Sequence, residues 1–384
     1  MADIAVVTNA PASGQRSMLG YGALVLDAAR RSGAGVTEWR GVSALSARLA
    51  GRTGPRVGKL TGDVERFGLT PLRLAGRRAD IVHVVDPGNA IYLDVVRARR
   101  TVVTVHDMIP YLAAAGRLDG FRPSRAGRRL MRAILTRLGR ADRVVAVSEA
   151  TRRDVLALAE PAPERVVTIP NAVFQDLAPA DPAACRALRC RLGLDAGARV
   201  VLHIGRNFYK NHAMVLEVFA RLARHRSDLV LVFVMPRTAA LDAAIRRHGL
   251  EARVRVVPYV ADGDMAALYT TARLLLFPSL YEGFGYPVLE AQLCDTPVVC
   301  SNGGALADVA GDGARVFEPE DAAGMAAAAA ELLDDPGAAA ALVARGRANA
   351  ARFDRATWFA QHEALWRDLG LTSAAEHGTQ RPAA

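Results

Sequence analysis

Short apolar runs alternate with longer amphipathic stretches along almost the whole chain. Most runs are apolar throughout, which is typical of strands buried on both faces of a parallel sheet. The stretches between them predict helices, and therefore right-handed βαβ connections and an α/β protein with doubly wound sheets. The predicted strands are 4–8, 80–86, 101–107, 143–148 and 166–170, followed by 200–205, 229–235, 254–259, 274–278, 297–301 and 315–318.

The two groups of runs are separated by a proline-containing stretch, 171–198, which predicts a domain boundary. A chain of 384 residues is long enough for two domains of ordinary size. We expect a Rossmann-like domain over 1–172, a linker and the start of a second domain over 173–198, and a second Rossmann-like domain over 199–355. The carboxyl ends of both sheets would then line a central cleft.

Charge and composition indicate the kinds of partner and the cellular location to expect. The net charge of +10 suggests an anionic partner, which could be a nucleotide phosphate, an acidic membrane surface or a nucleic acid. Of the 49 basic residues only Lys59 and Lys210 are lysine, so a lysine is unusual in this chain. Four cysteines without a CxxC pair do not predict a disulfide scaffold. No signal peptide or membrane-spanning run is seen, and we therefore expect a cytoplasmic protein.

Three familiar phosphate or metal motifs do not fit. The first predicted strand is not followed by GxGxxG, which argues against a dinucleotide-dependent dehydrogenase. The stretch 54–60 lacks the spacing and the final Ser or Thr of a P-loop. Asp262-Gly263-Asp264 is formally a DxD metal motif, but its place before an apolar helical pattern favours a helix N-cap.

Two loops carry the candidate chemistry. After the run 274–278 come Glu282, two glycines, Pro287 and Glu290, where a helix begins. Such a glycine loop lets backbone amides approach an anion at a helix N-terminus. Both carboxylates would then face the predicted cleft. The spacing fits equally well the alternative, in which Glu290 caps the helix and Glu282 is a solvated loop residue.

The second loop follows the run 200–205 and contains Gly205-Arg206 and Lys210-Asn211. A guanidinium and an ammonium group there could stabilise a diphosphate. Two solvated surface cations are the alternative, and it suits the rare Lys210 less well than Arg206.

Both loops resemble the signature of the retaining glycosyltransferases of family four, the group 1 glycosyltransferases, which have the GT-B fold. The resemblance implies that Glu290 holds the ribose diol of a nucleotide-sugar donor and that Arg206 and Lys210 grip its diphosphate. It also implies that Glu282 and the glycine-loop amides contact the donor sugar. The full donor-binding set is then Arg206, Lys210, Tyr259, Gly283, Phe284, Gly285, Tyr286 and Glu290.

The first half of the chain resembles the family more loosely. His106-Asp107-x-x-Pro110 is similar to a strand-end motif whose histidine bonds the donor sugar near the reacting carbon. The stretch 17–22 approximates the family's first glycine loop, so Gly20 and Tyr21 are expected in an acceptor-side loop. A C-terminal helix, 356–370, is expected to cross back to the first domain, and 371–384 to be a disordered tail.

The resemblance implies a retaining transfer of a hexose-type sugar from a nucleotide-diphosphate sugar to a hydroxyl group, in polysaccharide or glycolipid assembly. The expected catalytic residues are His106, Glu282, Arg206 and Lys210, with no cofactor, no metal and no nucleic-acid partner. The acceptor would be a saccharide or a lipid-linked saccharide. A nucleotide-sugar epimerase on the same fold and a catalytically inactive binding subunit remain open as alternatives.

The predicted helix 125–138 has two opposite faces. Arg125, Arg128, Arg129 and Arg132 form one stripe and apolar residues form the other. This pattern fits an ordinary domain helix. It equally allows a basic face that docks on anionic lipid at the inner face of a membrane.

Overall fold

A computed structural model describes residues 3–11, 16–49, 55–120, 122–173 and 176–371. The chain divides into two compact units. Within the described ranges, unit 1 comprises 3–115, 122–173 and 355–371, and unit 2 comprises 116–120 and 176–354. The predicted tail, 371–384, lies outside the described residues except for Leu371.

Unit 1 is built on a six-stranded parallel sheet with the order β2-β1-β3-β4-β5-β6. Its strands are β1 (Asp3–Thr8), β2 (Gly35–Arg40), β3 (Arg78–Val84), β4 (Arg97–Val105), β5 (Arg143–Ala146) and β6 (Val166–Thr168). Its helices are α1 (Arg16–Arg31), α2 (Ala44–Leu49), α3 (Pro55–Val64), α4 (Thr70–Leu74), α5 (Ile109–Ala114), α6 (Arg125–Arg140), α7 (Glu149–Ala159) and α16 (Arg355–Asp368).

Unit 2 contains a second six-stranded parallel sheet with the order β12-β11-β10-β7-β8-β9. Its strands are β7 (Arg199–Ile204), β8 (Leu229–Val234), β9 (Val254–Val257), β10 (Ala272–Phe277), β11 (Val298–Ser301) and β12 (Arg315–Phe317). Its helices are α8 (Pro182–Arg191), α9 (His212–Ala223), α10 (Ala239–Arg247), α11 (Met265–Thr271), α12 (Tyr286–Leu293), α13 (Leu306–Ala310), α14 (Ala322–Asp334) and α15 (Pro336–Ala350).

Strand order in unit 2 determines where a ligand can bind. The chain winds from β7 to β9 in one direction and then returns, so that β10 pairs with the other side of β7. Ligands of doubly wound sheets bind at the carboxyl ends of the two strands where the order reverses. The loops after β7 and β10 are the two loops that carry the candidate chemistry.

All eleven predicted strands are present, and one further strand was missed. Strand β2 reads Gly-Val-Thr-Glu-Trp-Arg, and only Trp39 within it is buried. It lies at the edge of its sheet and, among the described strands, pairs only with β1. An edge strand with charged, half-exposed positions has no continuous apolar run, and this is why the pattern did not predict it.

Helix starts follow local capping chemistry. Helix α6 begins after Ser124, whose hydroxyl accepts a hydrogen bond from the Gly127 amide, and α7 after Ser148, which accepts from Thr151. Helix α8 begins after Asp181 with a proline in its first turn. Each cap satisfies amides that the helix itself leaves unpaired.

Helix α16 belongs to the core of unit 1. Trp358 and Trp366 are buried among β1, β3 and α1 residues such as Ile4, Ile81 and Tyr21. The C-terminal helix therefore buries large aromatic area against the first sheet.

Candidate functional site

The loop after β7 is shaped by Gly205. This residue has a φ of 127°, and a Cβ there would lie 2.7 Å from Cε of Lys210. Only glycine allows both this conformation and the close passage of the lysine side chain. A short 3-10 turn, Phe208–Lys210, leads to Asn211 with a φ of 55°, after which α9 begins.

The loop after β10 is held against its neighbours on both sides. The Leu280 amide donates to the Tyr209 carbonyl at 2.7 Å, which joins it to the β7 loop. Glu282 forms an isolated parallel bridge with Gly304, and the Ala305 amide donates to the Glu282 carbonyl. Gly285, with a φ of 108°, then precedes α12.

The two loops meet in an ion pair. Lys210 Nζ donates to Glu282 Oε1 at 2.7 Å, and only 11% and 9% of the two side chains are exposed. The Phe277 ring centroid lies 4.5 Å from the ammonium group. Because each charge is removed from water, each is stabilised by the other.

Arg206 differs from Lys210. It is exposed, and among the described residues it has no hydrogen bond or ion pair. A guanidinium group at the carboxyl end of β7 that is not committed to a protein carboxylate remains able to pair with an anionic ligand.

Glu290, in the second turn of α12, is oriented by a tyrosine. The Tyr269 hydroxyl donates to Glu290 Oε2 at 2.6 Å. Burial raises the pKa of Glu290, while the Tyr269 hydrogen bond and the Lys210 charge lower it and Asp262 raises it. Sequence reasoning missed Tyr269, because nothing in the chain pattern indicates which carboxylate a helical tyrosine will meet.

The remaining donor-side predictions occupy different positions. Phe284 is buried against Tyr286 and Phe353, so its side chain is part of the packing. Gly283 is buried in the same loop. Tyr259 is 57% exposed and follows β9, which is separated from β7 by β8.

The Asp262–Asp264 segment is a 3-10 turn before α11, as expected for a helix start. Asp264 occupies the N-cap position of α11, as predicted, although its side chain makes no capping hydrogen bond. Asp264 Oδ1 accepts instead from Arg191 at 2.6 Å, since an arginine of α8 is within reach. In the described part of the chain no group of three or more His, Cys, Asp or Glu side chains is placed to hold a metal ion.

In unit 1, His106 follows the carboxyl end of β4. Its Nε2 lies 2.8 Å from the Val85 carbonyl, which can only accept, so Nε2 carries a proton. Burial lowers the pKa of His106, and the ring is therefore neutral at pH 7 with Nδ1 as an acceptor. The Tyr21 ring packs edge-on against it at 4.6 Å.

The expected acceptor-side loop at Gly20 and Tyr21 is wrong, because both residues lie within helix α1. Tyr21 is fully buried, and its hydroxyl lies 3.2 Å from both Thr104 and His362. A large aromatic residue with two buried polar partners is stabilised in the core, not in a loop.

These buried groups form one directed chain of hydrogen bonds. His362 Nδ1 donates to the Trp358 carbonyl, so its Nε2 accepts from Tyr21. Thr104 then donates to Tyr21 and accepts from His83 Nε2 at 2.9 Å. The chain joins α16 to α1 and the first sheet, and it fixes the tyrosine ring that packs on His106.

Helix α6 has the predicted two faces. Ile134 and Leu138 are buried, whereas Arg125, Arg128, Arg129 and Arg132 are exposed. No helix among the residues with described structure is both long and apolar enough to cross a membrane.

Comparisons with known proteins agree with this geometry. The family model described as "Glycosyl transferases group 1" matches residues 186–349, and the model described as "Glycosyltransferase Family 4" matches residues 36–177. The O-antigen chain mannosyltransferase B of Escherichia coli is 31% identical over 290 residues, covering 74% of each chain. The D-inositol 3-phosphate glycosyltransferase of Kineococcus radiotolerans is 36% identical over 264 residues, covering 62% of this chain and 60% of the relative.

The solved structure of Anabaena HepE in complex with UDP-glucose superposes with a TM-score of 0.72 at 20% identity, covering 96% of this chain and all of that one. This likeness concerns the fold, and it agrees with two six-stranded parallel sheets of the GT-B class. The two family models together match residues in both units. The match to the Escherichia coli relative covers 74% of this chain and 74% of that relative. The chain therefore belongs to the group 1 glycosyltransferases.

Proposed function

We propose that this glycosyltransferase transfers a sugar from a nucleotide-diphosphate donor to a hydroxyl acceptor with retention of anomeric configuration. The observation that carries the proposal is the buried Lys210–Glu282 pair, together with an exposed Arg206 that has no partner in the described part of the chain. All three residues lie in the loops where the strand order of unit 2 reverses. All of these residues lie in unit 2, which would bind the donor.

The two cations bind the diphosphate in different ways. Lys210 Nζ uses one of its three hydrogens on Glu282 and keeps two for phosphate oxygens. Arg206 offers a planar pair of donors. Cleavage of the sugar–phosphate bond leaves charge on the diphosphate, and the two cations would stabilise that charge without a metal ion.

The nucleoside and the sugar are held by the second loop. Glu290 accepts hydrogen bonds from the ribose diol, and the backbone of Gly283, Phe284 and Gly285 meets the sugar and the phosphate next to the N-terminus of α12. Glu282, fixed by Lys210 and by its bridge to Gly304, contacts the donor sugar. In unit 1, His106 Nδ1 is available to accept a hydrogen bond from a sugar hydroxyl, because its Nε2 already donates to Val85.

The chemical step breaks the bond between the anomeric carbon and the phosphate oxygen and forms a bond from that carbon to the acceptor oxygen. The proton of the acceptor hydroxyl passes to the departing phosphate oxygen on the same face of the sugar. No protein nucleophile is used. Retention follows because attack and departure share one face.

The acceptor is proposed to be a saccharide or a lipid-linked saccharide in polysaccharide or glycolipid assembly. The Escherichia coli relative, whose name describes an O-antigen chain mannosyltransferase, supports this class. Two surfaces of unit 1 have the composition expected for contact with a membrane that carries such an acceptor. These are the exposed arginine stripe of α6 and the exposed apolar side chains of α3, Val57, Leu60 and Val64.

The test is product analysis with a panel of donors, with and without acceptor. Nucleotide class is chosen first by thermal shift with UDP, GDP, ADP and TDP, because a ligand at about 100 times its Kd adds about 2.7 kcal/mol of stability. Transfer that requires an acceptor and gives a product with the donor's anomeric configuration supports the proposal. Conversion of the donor without acceptor would instead identify an epimerase, and binding without turnover of any donor a binding subunit.

A further inference from the structure

The hydroxyl of Tyr269 contacts the candidate donor site through Glu290. Tyr269 lies on α11, is 0% exposed, and donates to Glu290 on α12 at 2.6 Å. Its backbone carbonyl accepts from the Thr296 hydroxyl at 2.7 Å, a contact separate from that of the phenol hydroxyl. A buried phenol hydroxyl that donates to a carboxylate sets the direction of that carboxylate.

We propose that Tyr269 is a positioning residue for nucleotide binding, whose hydroxyl orients the Glu290 carboxylate towards a ligand diol. The proposal rests on the assignment of Glu290 to the ribose diol. Tyr269 occupies Oε2 from the protein side, which leaves Oε1 and the remaining lone pair of Oε2 for two ligand hydroxyls.

The charges around Glu290 explain why it needs this hydrogen bond. Burial raises its pKa and Asp262 raises it further, while Lys210 and Tyr269 lower it. Lys210 is already paired with Glu282. Burial and the Glu290 charge raise the pKa of Tyr269 well above its usual range, and burial raises that of the nearby Cys294 to about 12. Both therefore stay protonated, and Tyr269 is a donor at every working pH.

A defined pH dependence follows. A protonated Glu290 carries a hydrogen in place of an acceptor lone pair and loses hold of the diol. Ribose recognition is therefore present at high pH and is lost as pH falls through the pKa of Glu290. Removing the Tyr269 hydroxyl removes a group that lowers this pKa, so the loss should begin at a higher pH in the variant.

The experiment compares ribonucleotide with deoxyribonucleotide binding. Kd is measured between pH 5 and 8.5 for UDP and 2′-deoxy-UDP, and in parallel for GDP and 2′-deoxy-GDP. The ratio of the two Kd values isolates the diol, because both ligands share the same base and the same titrating phosphates. In Tyr269→Phe the preference for the ribonucleotide should fall about tenfold at pH 7 and should disappear at a higher pH than in the wild type.

Two further variants make the comparison decisive. Thr296→Val removes a buried hydrogen bond to the same tyrosine and leaves its hydroxyl intact, so the ratio and its pH dependence should stay as in the wild type. Tyr269→3-fluorotyrosine keeps the shape and strengthens the donor, so the preference should persist to a lower pH. This fluorinated variant also tests the positioning role if Tyr269→Phe does not fold.

The inference and the proposed function fail in different ways. If Glu290→Gln abolishes the preference but Tyr269→Phe and the fluorinated variant both keep the wild-type ratio and pH limit, Tyr269 has no positioning role. If the wild type shows no preference, or Glu290→Gln retains it, the assignment of Glu290 to the diol is wrong and the inference is overturned with it.

Discussion

At the residue scale, the candidate site contains two cations, of which one is ion-paired within the protein. Lys210 is buried and paired with Glu282, whereas Arg206 is exposed and has no partner among the described residues. Two cations of the same nominal role should therefore respond differently to substitution. One variant should affect only the reaction, and the other should affect the fold as well.

Arg206→Ala should lower kcat/KM for transfer by about 10²–10³ with no change in Tm, since one preorganised charge contact is lost and no protein partner is left unpaired. Arg221→Ala is the matched control, because its exposed pair with Glu217 lies on α9 and contributes little. Steady-state kinetics and thermal unfolding measure both quantities. Near-native kcat/KM in Arg206→Ala would remove this residue from the diphosphate site.

Lys210→Ala and Glu282→Ala should each lower both activity and stability, because each leaves one buried charge without its partner. The stability cost expected for a broken buried pair is about 3–5 kcal/mol. The double variant should unfold at a Tm no lower than the worse single variant, since the unpaired charge is then absent. Additive losses in the double-mutant cycle would show that the two residues act independently.

At the element scale, the N-terminus of α12 depends on the backbone of Gly285. Its φ is 108°, and a Cβ there would lie 2.6 Å from Leu306 Cδ2 of α13. Both the conformation and the contact exclude a larger residue without movement of the loop. The amides that the loop presents to a ligand depend on this arrangement.

Gly285→Ala should destabilise the protein by about 1–3 kcal/mol and should reduce donor affinity as the start of α12 moves. Gly197→Ala is the control, since a Cβ there meets nothing within 4 Å and the backbone is not left-handed. Chemical denaturation and nucleotide titration test the pair. Equal stability and equal nucleotide Kd in both variants would contradict this view of the loop.

Also at the element scale, the basic face of α6 and the apolar face of α3 are candidate membrane-binding surfaces. If they dock on lipid, the protein should sediment with anionic vesicles at low salt and be released at high salt, because each surface arginine contributes about 1 kcal/mol that salt screens. Changing Arg125, Arg129 and Arg132 to Glu should abolish sedimentation. The same change at three exposed arginines of unit 2, Arg221, Arg224 and Arg247, should not.

Protein that stays in the supernatant at low salt would rule out this membrane contact. Retention of sedimentation in the α6 variant, with loss in Leu60→Ser, would place the contact on α3 alone. Leu60 is 65% exposed, so the serine variant should fold normally.

At the scale of the whole molecule, the proposed diphosphate site predicts metal independence. Under that proposal Arg206 and Lys210 bind the diphosphate, and the Asp262–Asp264 turn lies at the start of α11, where Asp264 bonds Arg191. Activity should therefore survive treatment with excess EDTA. Loss of activity that returns on adding Mg²⁺ or Mn²⁺ would contradict the proposed role of the two cations.

The sequence alone determined the layered α/β architecture, because strands buried on both faces require apolar runs and tight loops require glycine and proline. It also indicated Arg206, Lys210, Glu282 and Glu290 as candidate site residues, since loops after buried parallel strands lie at one edge of a sheet. The half-exposed edge strand β2 carries no such signal and was not predicted.

The tertiary structure alone decided which side chains meet. Lys210 and Glu282 are 72 residues apart and Tyr269 and Glu290 are 21 apart, and they pair because β10 returns to β7 and α11 packs beside α12. Tyr21, expected in a loop, is buried because His362 of the last helix supplies its acceptor. The local sequence pattern indicates whether a residue is buried. Which side chain it contacts depends on strand order and on packing between distant segments, and no short stretch of sequence contains that information.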